Sequence, residues 1–165
     1  MWCLLWRERH ATTATGEPVT TQLTFSPATL PAGREAILRL EAAVARLPQY
    51  DCPLKHYFVD GLYVREIFIP AGCVLVGYIH TQDCITIVSK GRILISEGND
   101  LRDIRAPFTA TVPKGSKKAG YALEDTVWSD CYVNADNEQD IDTLETRLTA
   151  NTHQEYAMQQ LKVKP

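Results

Sequence analysis

The chain lacks several patterns that would assign it to a class at once. Its five cysteines form no Cys-x-x-Cys pair, which argues against a disulfide framework and against a four-thiolate zinc site. No apolar run approaches the roughly 20 residues that a membrane span needs. The nucleotide-binding motif Gly-x-x-x-x-Gly-Lys-Ser/Thr is absent as well. We therefore expect neither a membrane protein nor a P-loop protein, and we interpret the cysteines, apart from Cys84, as small, buried, reduced side chains.

A strong excess of charge of one sign is also missing. The chain has 17 Lys and Arg against 20 Asp and Glu, a formal net charge of −3, so composition gives no general case for nucleic acid or an anionic membrane as a partner. Residues 1–6 are apolar, but no basic segment precedes them and Arg7-Glu8-Arg9 follows at once, which makes a poor signal peptide. The expected compartment is the cytoplasm.

What the chain does contain is an ordinary mixture for a globular domain, with 45% hydrophobic and 22% charged residues among its 165. Residues 11–33 are rich in Thr, Ala and Pro without apolar periodicity, which predicts an extended arm over residues 1–33. Residues 34–48 predict an amphipathic helix that stops at Pro48, because four apolar residues recur at helical spacing: Ile37, Leu40, Val44 and Leu47.

Residues 54–135 consist of short segments rich in Val, Ile, Thr and aromatic residues. They are separated by turn-forming pairs, among them Asp60-Gly61, Ala71-Gly72, Lys90-Gly91 and Gly98-Asn99. Such spacing predicts an antiparallel barrel or sandwich. Residues 136–150 predict a second helix, which starts at the capping-type pair Asp136-Asn137 and carries the apolar residues Ile141, Leu144 and Leu148. Residues 151–165 are predicted to form a polar tail.

The order of several short motifs in this region resembles that of the cupin superfamily. The motifs that carry the resemblance are residues 65–72, 77–80, 87–91, 106–107, 113–118 and 121–128. Over residues 54–148 the chain is similar to small single-domain cupins of the bacteriophage and prophage type. The resemblance implies a mainly β fold, a cupin-like antiparallel β-barrel (double-stranded β-helix or jelly roll) with one helix before the barrel and one after it.

The resemblance also implies where a metal would lie. In metal-binding relatives, the segment after Gly77 runs His-x-His-x-x-Glu-His, and alternate positions on one strand face the same side. The corresponding positions in this chain hold Tyr78, His80, Asp83 and Cys84. In the second motif, Pro-x-Gly-x-x-His, the position of the histidine is taken by Lys118, and a further histidine position after Trp128 is taken by Tyr132.

Two interpretations of these positions follow. His80 and Cys84 could bind one divalent transition metal, Zn, Fe, Mn or Ni, if Asp83 or Tyr132 completed the site. The preferred interpretation is that no cofactor is bound, and that the candidate residues fill the mouth of the barrel and hydrogen-bond to one another: Tyr78, His80, Cys84 and Tyr132. Glu66 is a further candidate at the mouth, because it alternates with Val64 and Phe68 and is therefore expected to point inward.

The segment around Gly115 contains three basic residues, Lys114, Lys117 and Lys118. We interpret this segment as a solvated loop, with an anion or phosphate site as the alternative.

Two functions from different classes remain open. The first is a non-catalytic cupin that acts as an assembly or binding module, phage-encoded, as a virion component or an accessory factor. It would form a homo-oligomer and could meet other viral or host proteins through its N-terminal arm, in the host cytoplasm or the virion. The second is a metal-dependent cupin enzyme, an oxygenase, isomerase or hydrolase acting on a small molecule in the barrel. The missing histidines favour the first.

Overall fold

The computed structural model describes residues 4–6, 30–31, 33–47 and 49–162. Most of the arm predicted over residues 1–33 therefore lies outside the described residues. Within the described part, the elements are, in chain order, β1 (Leu4–Trp6), α1 (Arg34–Val44), β2 (Leu54–Val59), β3 (Gly61–Ile69), β4 (Val74–Val76), β5 (Ile79–His80), β6 (Cys84–Lys90), β7 (Arg92–Glu97), β8 (Asp100–Arg105), β9 (Phe108–Val112), β10 (Lys118–Ala122), β11 (Thr126–Asn134), α2 (Ile141–Leu148), β12 (Thr149–Ala150) and α3 (His153–Lys162).

Two five-stranded sheets form the barrel. The first has the strand order β1-β4-β10-β7-β8 and the second the order β2-β3-β11-β6-β9, and neighbouring strands pair antiparallel. β5 and β12 pair separately as a short ribbon. Apolar side chains of both sheets meet in one cluster between them, with Ile93 and Ile95 from the first and Val88 and Trp128 from the second. The predicted mainly β, antiparallel barrel is confirmed, and its double-sheet form is that of a jelly roll.

The long strand β11 shows how the sequence selects the inner face. Trp128, Asp130 and Tyr132 are buried, whereas Val133 on the other face is 65% exposed. Because strand side chains alternate between the two faces, these three residues all point between the sheets. β11 is central in its sheet, so its inner face supplies the middle of the barrel wall.

The helices cover the barrel from two sides. The apolar stripe predicted for the first helix is present, and Ile37, Leu40 and Val44 pack on residues of the first sheet, including Val74 and Val76. Helix α2 packs Leu144 and Leu148 on a second cluster inside the second sheet. Its N-cap is Asp140, whose carboxylate accepts a 2.8 Å hydrogen bond from the backbone N–H of Thr143. The predicted helices before and after the barrel are therefore present, although α2 spans Ile141–Leu148, with Asp140 and not the pair Asp136-Asn137 as its cap, and a further helix, α3, follows it.

Two other predicted segments also differ from the structure. The first helix ends at Val44, and residues 45–47 form a turn before Pro48. Residues 151–165, predicted only as a polar tail, contain helix α3 over His153–Lys162. Tyr156 of this helix packs on Gly115, and this contact gives a polar segment a reason to be helical that its own pattern does not show. No helix in the described ranges has the length and apolar character required to cross a membrane.

Two turn glycines allow a direct test of backbone geometry. Gly91 and Gly98 both have positive φ, +85° and +57°. A Cβ at Gly91 would lie 2.3 Å from the carbonyl oxygen of Asp125, whereas a Cβ at Gly98 meets nothing within 4 Å. We therefore expect Gly98→Ala to lower the free energy of unfolding by about 1 kcal/mol, from backbone strain alone. Gly91→Ala should lower it by about 3 kcal/mol, because the hairpin must also move away from Asp125.

Urea unfolding followed by circular dichroism measures both changes on the same scale. Equal losses in the two variants would contradict the close approach of the β6–β7 turn to Asp125.

Candidate functional site

A cavity of about 320 Å³ lies between the two sheets. Its volume equals that of about ten water molecules. Apolar side chains from both sheets form most of its wall: Leu54, Ile67, Ile69, Leu75 and Ile95. Polar and charged side chains interrupt this wall, and they decide what the cavity can do chemically: Gln49, Tyr50, Asp51, Arg65, Tyr78, His80, Lys118, Trp128, Asp130 and Thr149.

A buried carboxylate, Asp130, organises the charged side of the cavity. The Thr86 hydroxyl donates to its Oδ1 at 2.5 Å, and the Trp128 indole Nε1–H donates to the same oxygen at 3.0 Å. The Arg65 guanidinium lies 3.3 Å from its Oδ2. Burial acts to raise the pKa of the Asp130 carboxyl, but neighbouring positive charge and these hydrogen bonds outweigh it, and the pKa lies below its ordinary value. The carboxylate is therefore ionised, and each of its two oxygens has a partner.

Two cations line the cavity. The side chain of Arg65 is 11% exposed, pairs with Asp130 and lies over the ring of Tyr132, with 5.9 Å from Cζ to the ring centre. The side chain of Lys118 is 14% exposed, and its Nζ lies 5.6 Å from the centre of the Trp128 ring. These distances are in the range of cation–π contacts. Both cations are therefore held against aromatic faces rather than extended into solvent.

His80 lies where the cavity meets the second core cluster. The two-residue strand β5 places it, and its backbone is fixed to the next loop: its N–H donates to Ser116 O at 3.0 Å, and its carbonyl accepts from Gly115 N at 2.7 Å. Its Nδ1 lies 3.1 Å from the Tyr132 hydroxyl and 3.6 Å from the Cys84 sulfur. Tyr132 and Cys84 are 0% and 6% exposed. These three side chains form one hydrogen-bonded cluster.

All three groups of the cluster are uncharged at neutral pH: the imidazole is neutral, and the thiol and the hydroxyl keep their protons. Burial lowers the pKa of His80 to about 4, against the opposing effect of Asp130, so the imidazole carries no charge. Burial raises the pKa of the Cys84 thiol to about 12 and raises that of Tyr132 well above its ordinary value. The thiol and the hydroxyl are both donors that face Nδ1. We therefore assign the proton of the neutral imidazole to Nε2.

This donor set does not fit a transition metal. The bare nitrogen of His80, Nδ1, already accepts from the Tyr132 hydroxyl and faces the Cys84 thiol, so it is turned to protein donors and not to an open coordination position. Burial also raises the pKa of the Cys84 thiol, which makes the thiolate costly to form there. Asp83 accepts the backbone N–H of Lys114 at 2.8 Å. Over residues 49–162 and the shorter described ranges, no group of three or more His, Cys, Asp or Glu residues is placed to hold a metal ion.

The structure separates the candidates that the sequence placed together at the mouth. Tyr78 and His80 line the cavity, whereas Cys84 and Tyr132 lie behind His80 in the core beneath α2. The predicted inward position of Glu66 is wrong. Its neighbours in β3, Arg65 and Ile67, line the cavity, so the two-residue period turns Glu66 to the outer face. There it accepts from the Tyr57 hydroxyl at 3.3 Å and pairs with Lys55 at 3.3 Å.

The basic loop is also different from its interpretation as solvated. The side chain of Lys117 is 4% exposed, and its Nζ donates to Glu41 of helix α1 at 2.8 Å. Lys118 lines the cavity. Sequence reasoning missed Arg65 and Asp130 as site residues. The available signal was the two-residue spacing of Asp130 between Trp128 and Tyr132, two large aromatic residues that mark an inner face.

Comparisons with known proteins find only distant likenesses, and only among solved structures. No protein-family model and no curated protein matches the chain. Among solved structures that resemble it, KdgF from Halomonas sp. shares 17% identity, with a TM-score of 0.45 and coverage of 55% of this chain and 89% of that one. A cupin superfamily protein from Desulfitobacterium hafniense shares 9%, with a TM-score of 0.44 and coverage of 56% and 85%.

An RmlC-like cupin family protein with a double-stranded β-helix fold, from Methanocaldococcus jannaschii, shares 11% identity. Its TM-score is 0.44, and the match covers 52% of this chain and 82% of that one. At such identities and TM-scores, no activity, ligand or metal of this chain follows from these likenesses.

The low pKa of His80 predicts a loss of stability on mild acidification. The unfolded chain takes up a proton at His80 below about pH 6.5, whereas the folded protein does not until about pH 4. This contribution is therefore complete above pH 6.5 and is lost as the pH falls from 6.5 to 4, by up to about 3 kcal/mol. Urea unfolding at several pH values across this window measures the slope.

The variant His80→Gln should lose most of that slope, because it removes the titrating group. His153→Gln is the matched control, since His153 in helix α3 is only half-buried; burial lowers its pKa in the same direction. A wild-type stability that does not change across the window would contradict the neutral, buried state of His80.

Proposed function

We propose that the chain is a metal-independent binding module that holds a small molecule in the cavity of its barrel. The observation that carries this proposal is a contrast between two neighbouring regions. The positions where the sequence resemblance implies a metal are taken up by a neutral, internally hydrogen-bonded cluster of His80, Cys84 and Tyr132. The cavity beside them is open and keeps apolar walls and two cations. This combination favours binding over metal chemistry.

The cavity has the properties of a preorganised ligand site. Ligand pockets are mostly apolar, with a few polar groups in fixed positions, and the volume of this one lies at the lower end of their usual range. Asp130 fixes Arg65 and Trp128 through direct contacts, so these groups need little reordering when a ligand enters. A site with such fixed walls supports binding of a rigid molecule of modest size.

The alternative function, a metal-dependent oxygenase, isomerase or hydrolase, requires at least three converging ligands and an open coordination position. His80 and Cys84 face each other and Tyr132 in one hydrogen-bonded cluster, and Asp83 accepts from the backbone of Lys114. The non-catalytic role predicted from the sequence fits the proposal better. Phage origin, and service as a virion component or accessory factor, rest on the sequence resemblance and remain part of this proposal.

Metal content tests the proposal directly. We expect untagged protein, purified without chelator, to contain far less than one equivalent of Zn, Fe, Mn or Ni by elemental analysis, because its donors do not form a site. His80→Ala should give the same result, as should His153→Ala, a control at a histidine that does not line the cavity. Near-stoichiometric metal in the wild type and in His153→Ala, lost in His80→Ala, would overturn the proposal.

A homo-oligomer is part of the same proposal, and the outer face of the second sheet supports it. Four large apolar side chains are exposed on this face: Tyr57, Val59, Ile85 and Val133. Three of them lie on the strands to either side of β3. Val59 on β2 and Val133 on β11 both pair with Leu62 of β3, and Val64 of β3 lies between Tyr57 and Cys131. The charges of Lys55 and Glu66 on this face are opposite and adjacent. A second copy offers the same flat apolar layer and the same complementary charges.

The size of the face is sufficient. Five strands about 4.8 Å apart and about seven residues long at about 3.3 Å each give roughly 550 Å² per copy, or about 1,100 Å² for a pair. This exceeds the roughly 1,000 Å² that a specific interface needs.

Light scattering with size-exclusion chromatography tests this partner. We expect a dimer for the wild type and a monomer for Val133→Lys, because a twofold interface would bury two new lysines together. Leu101→Lys is the matched control, since Leu101 is 52% exposed on β8 of the first sheet, and it should remain a dimer. A monomeric wild type, or an unchanged dimer in Val133→Lys, would contradict the assignment of this face.

A further inference from the structure

We propose that the cavity takes a small organic anion with an apolar body, and that the Lys118 ammonium is the group that pairs with its charge. The inference rests on the proposed function, because it names the ligand class of the same cavity. It goes further in assigning the charge of the ligand, its shape and the residue that recognises it.

The Lys118 ammonium is largely buried and has no carboxylate of the described residues within hydrogen-bond distance. Its side chain is 14% exposed and lines the cavity. The nearest carboxylate oxygen, Oε1 of Glu97, lies 4.0 Å from Nζ, which is too far for a hydrogen bond. No hydrogen bond among the described residues involves this ammonium, although it carries three donors. A largely buried cation without hydrogen bonds is costly, and an anionic group in the cavity would satisfy it.

Glu97 and Asp130, two carboxylates near Lys118, both have other hydrogen-bond or ion-pair partners. Glu97 accepts a short hydrogen bond from the hydroxyl of Ser116. Asp130 accepts from Thr86 and Trp128 and pairs with Arg65, so its charge is already compensated. Lys118 is thus the cation on the cavity wall whose charge has the weakest partner within the described structure. An entering anion would meet it without first displacing a strong ion pair.

The wall and the volume of the cavity limit the shape of the ligand. One part of the wall is aliphatic, with the ring of Trp128 beside Lys118, and further polar residues, including Asp51, line another part. A second negative charge on the ligand is disfavoured, because among the aliphatic residues it would have no partner and beside Asp51 it would be repelled. A volume of about ten waters suits one ring with one charged substituent. The geometry therefore points to a cyclic or aromatic monoanion whose charge meets Lys118 and whose ring lies among the aliphatic residues.

The experiment compares probes of one shape and different charge. Isothermal titration calorimetry of the wild-type protein is carried out with benzoate, with benzenesulfonate and with neutral benzamide. We expect at least one of the two anions to bind and benzamide to bind more weakly by about tenfold or more, because a hydrogen bond to a charged group contributes about 1.5–3 kcal/mol. The stronger of the two anions identifies the charged group that the site prefers.

Variants assign the effect to Lys118. Lys118→Met keeps the length and apolar stem of the side chain but removes its charge, and it should weaken the binding of the preferred anion by about 10- to 100-fold while leaving benzamide unchanged. Lys118→Arg keeps the charge and should retain binding within about tenfold. Lys114→Met is the matched control: Lys114 is exposed and does not line the cavity, and loss of its charge should change binding by less than about twofold.

The outcomes separate this inference from the proposed function. Equal binding of benzoate and benzamide, unchanged in Lys118→Met, would overturn the anion and leave a metal-independent binding module intact. Binding of none of the three probes would overturn both. If Lys118→Met does not fold, the ratio of anion to benzamide affinity in Lys118→Arg and in the wild type at low and high salt decides the question, because only the anion's affinity should fall as salt rises.

Discussion

The carboxylate of Asp130 joins the three central strands of the second sheet, and the remaining features of the site depend on it. It is carried by β11, receives a hydrogen bond from Thr86 on β6 and pairs with Arg65 on β3. It also fixes the indole of Trp128 two residues earlier on its own strand. A buried carboxylate is tolerated only when it is hydrogen-bonded and paired. Removing it would leave Arg65 as an uncompensated charge in the barrel.

From that centre, two different environments are built within a few residues of each other. On one side, Arg65 lies over the ring of Tyr132. The Tyr132 hydroxyl is hydrogen-bonded to His80, which also contacts Cys84, and these three residues form the neutral cluster near α2. On the other side, Trp128 presents its ring to Lys118 at the cavity. In the cluster, desolvation keeps His80, Cys84 and Tyr132 uncharged, whereas the charge of Arg65 is balanced by its ion pair with Asp130.

The sequence predicted the fold more fully than the site, for a physical reason. Alternating Val, Ile and aromatic residues between turn pairs were enough to predict an antiparallel barrel, and the spacing from Ile37 to Val44 was enough to predict a helix. The same alternation does not say which set of side chains faces inward when both sets contain large apolar residues. In β3, that ambiguity placed Glu66 inside and overlooked Arg65. Hydrogen bonds among His80, Cys84 and Tyr132 were expected, whereas their position behind the cavity depends on α2.

The loop that leads into β10, residues 113–117, is held by two helices that lie far apart in sequence. Glu41 of helix α1 pairs with Lys117, and the Tyr156 hydroxyl of helix α3 lies close to Gly115, where φ is +85°. Lys118 is the residue that follows this loop. Helices α1 and α3 therefore both restrain the backbone from which Lys118 reaches the cavity. A ligand that fixes Lys118 would also favour the packing of these two helices, so that occupancy of the cavity stabilises parts of the chain that do not touch the ligand.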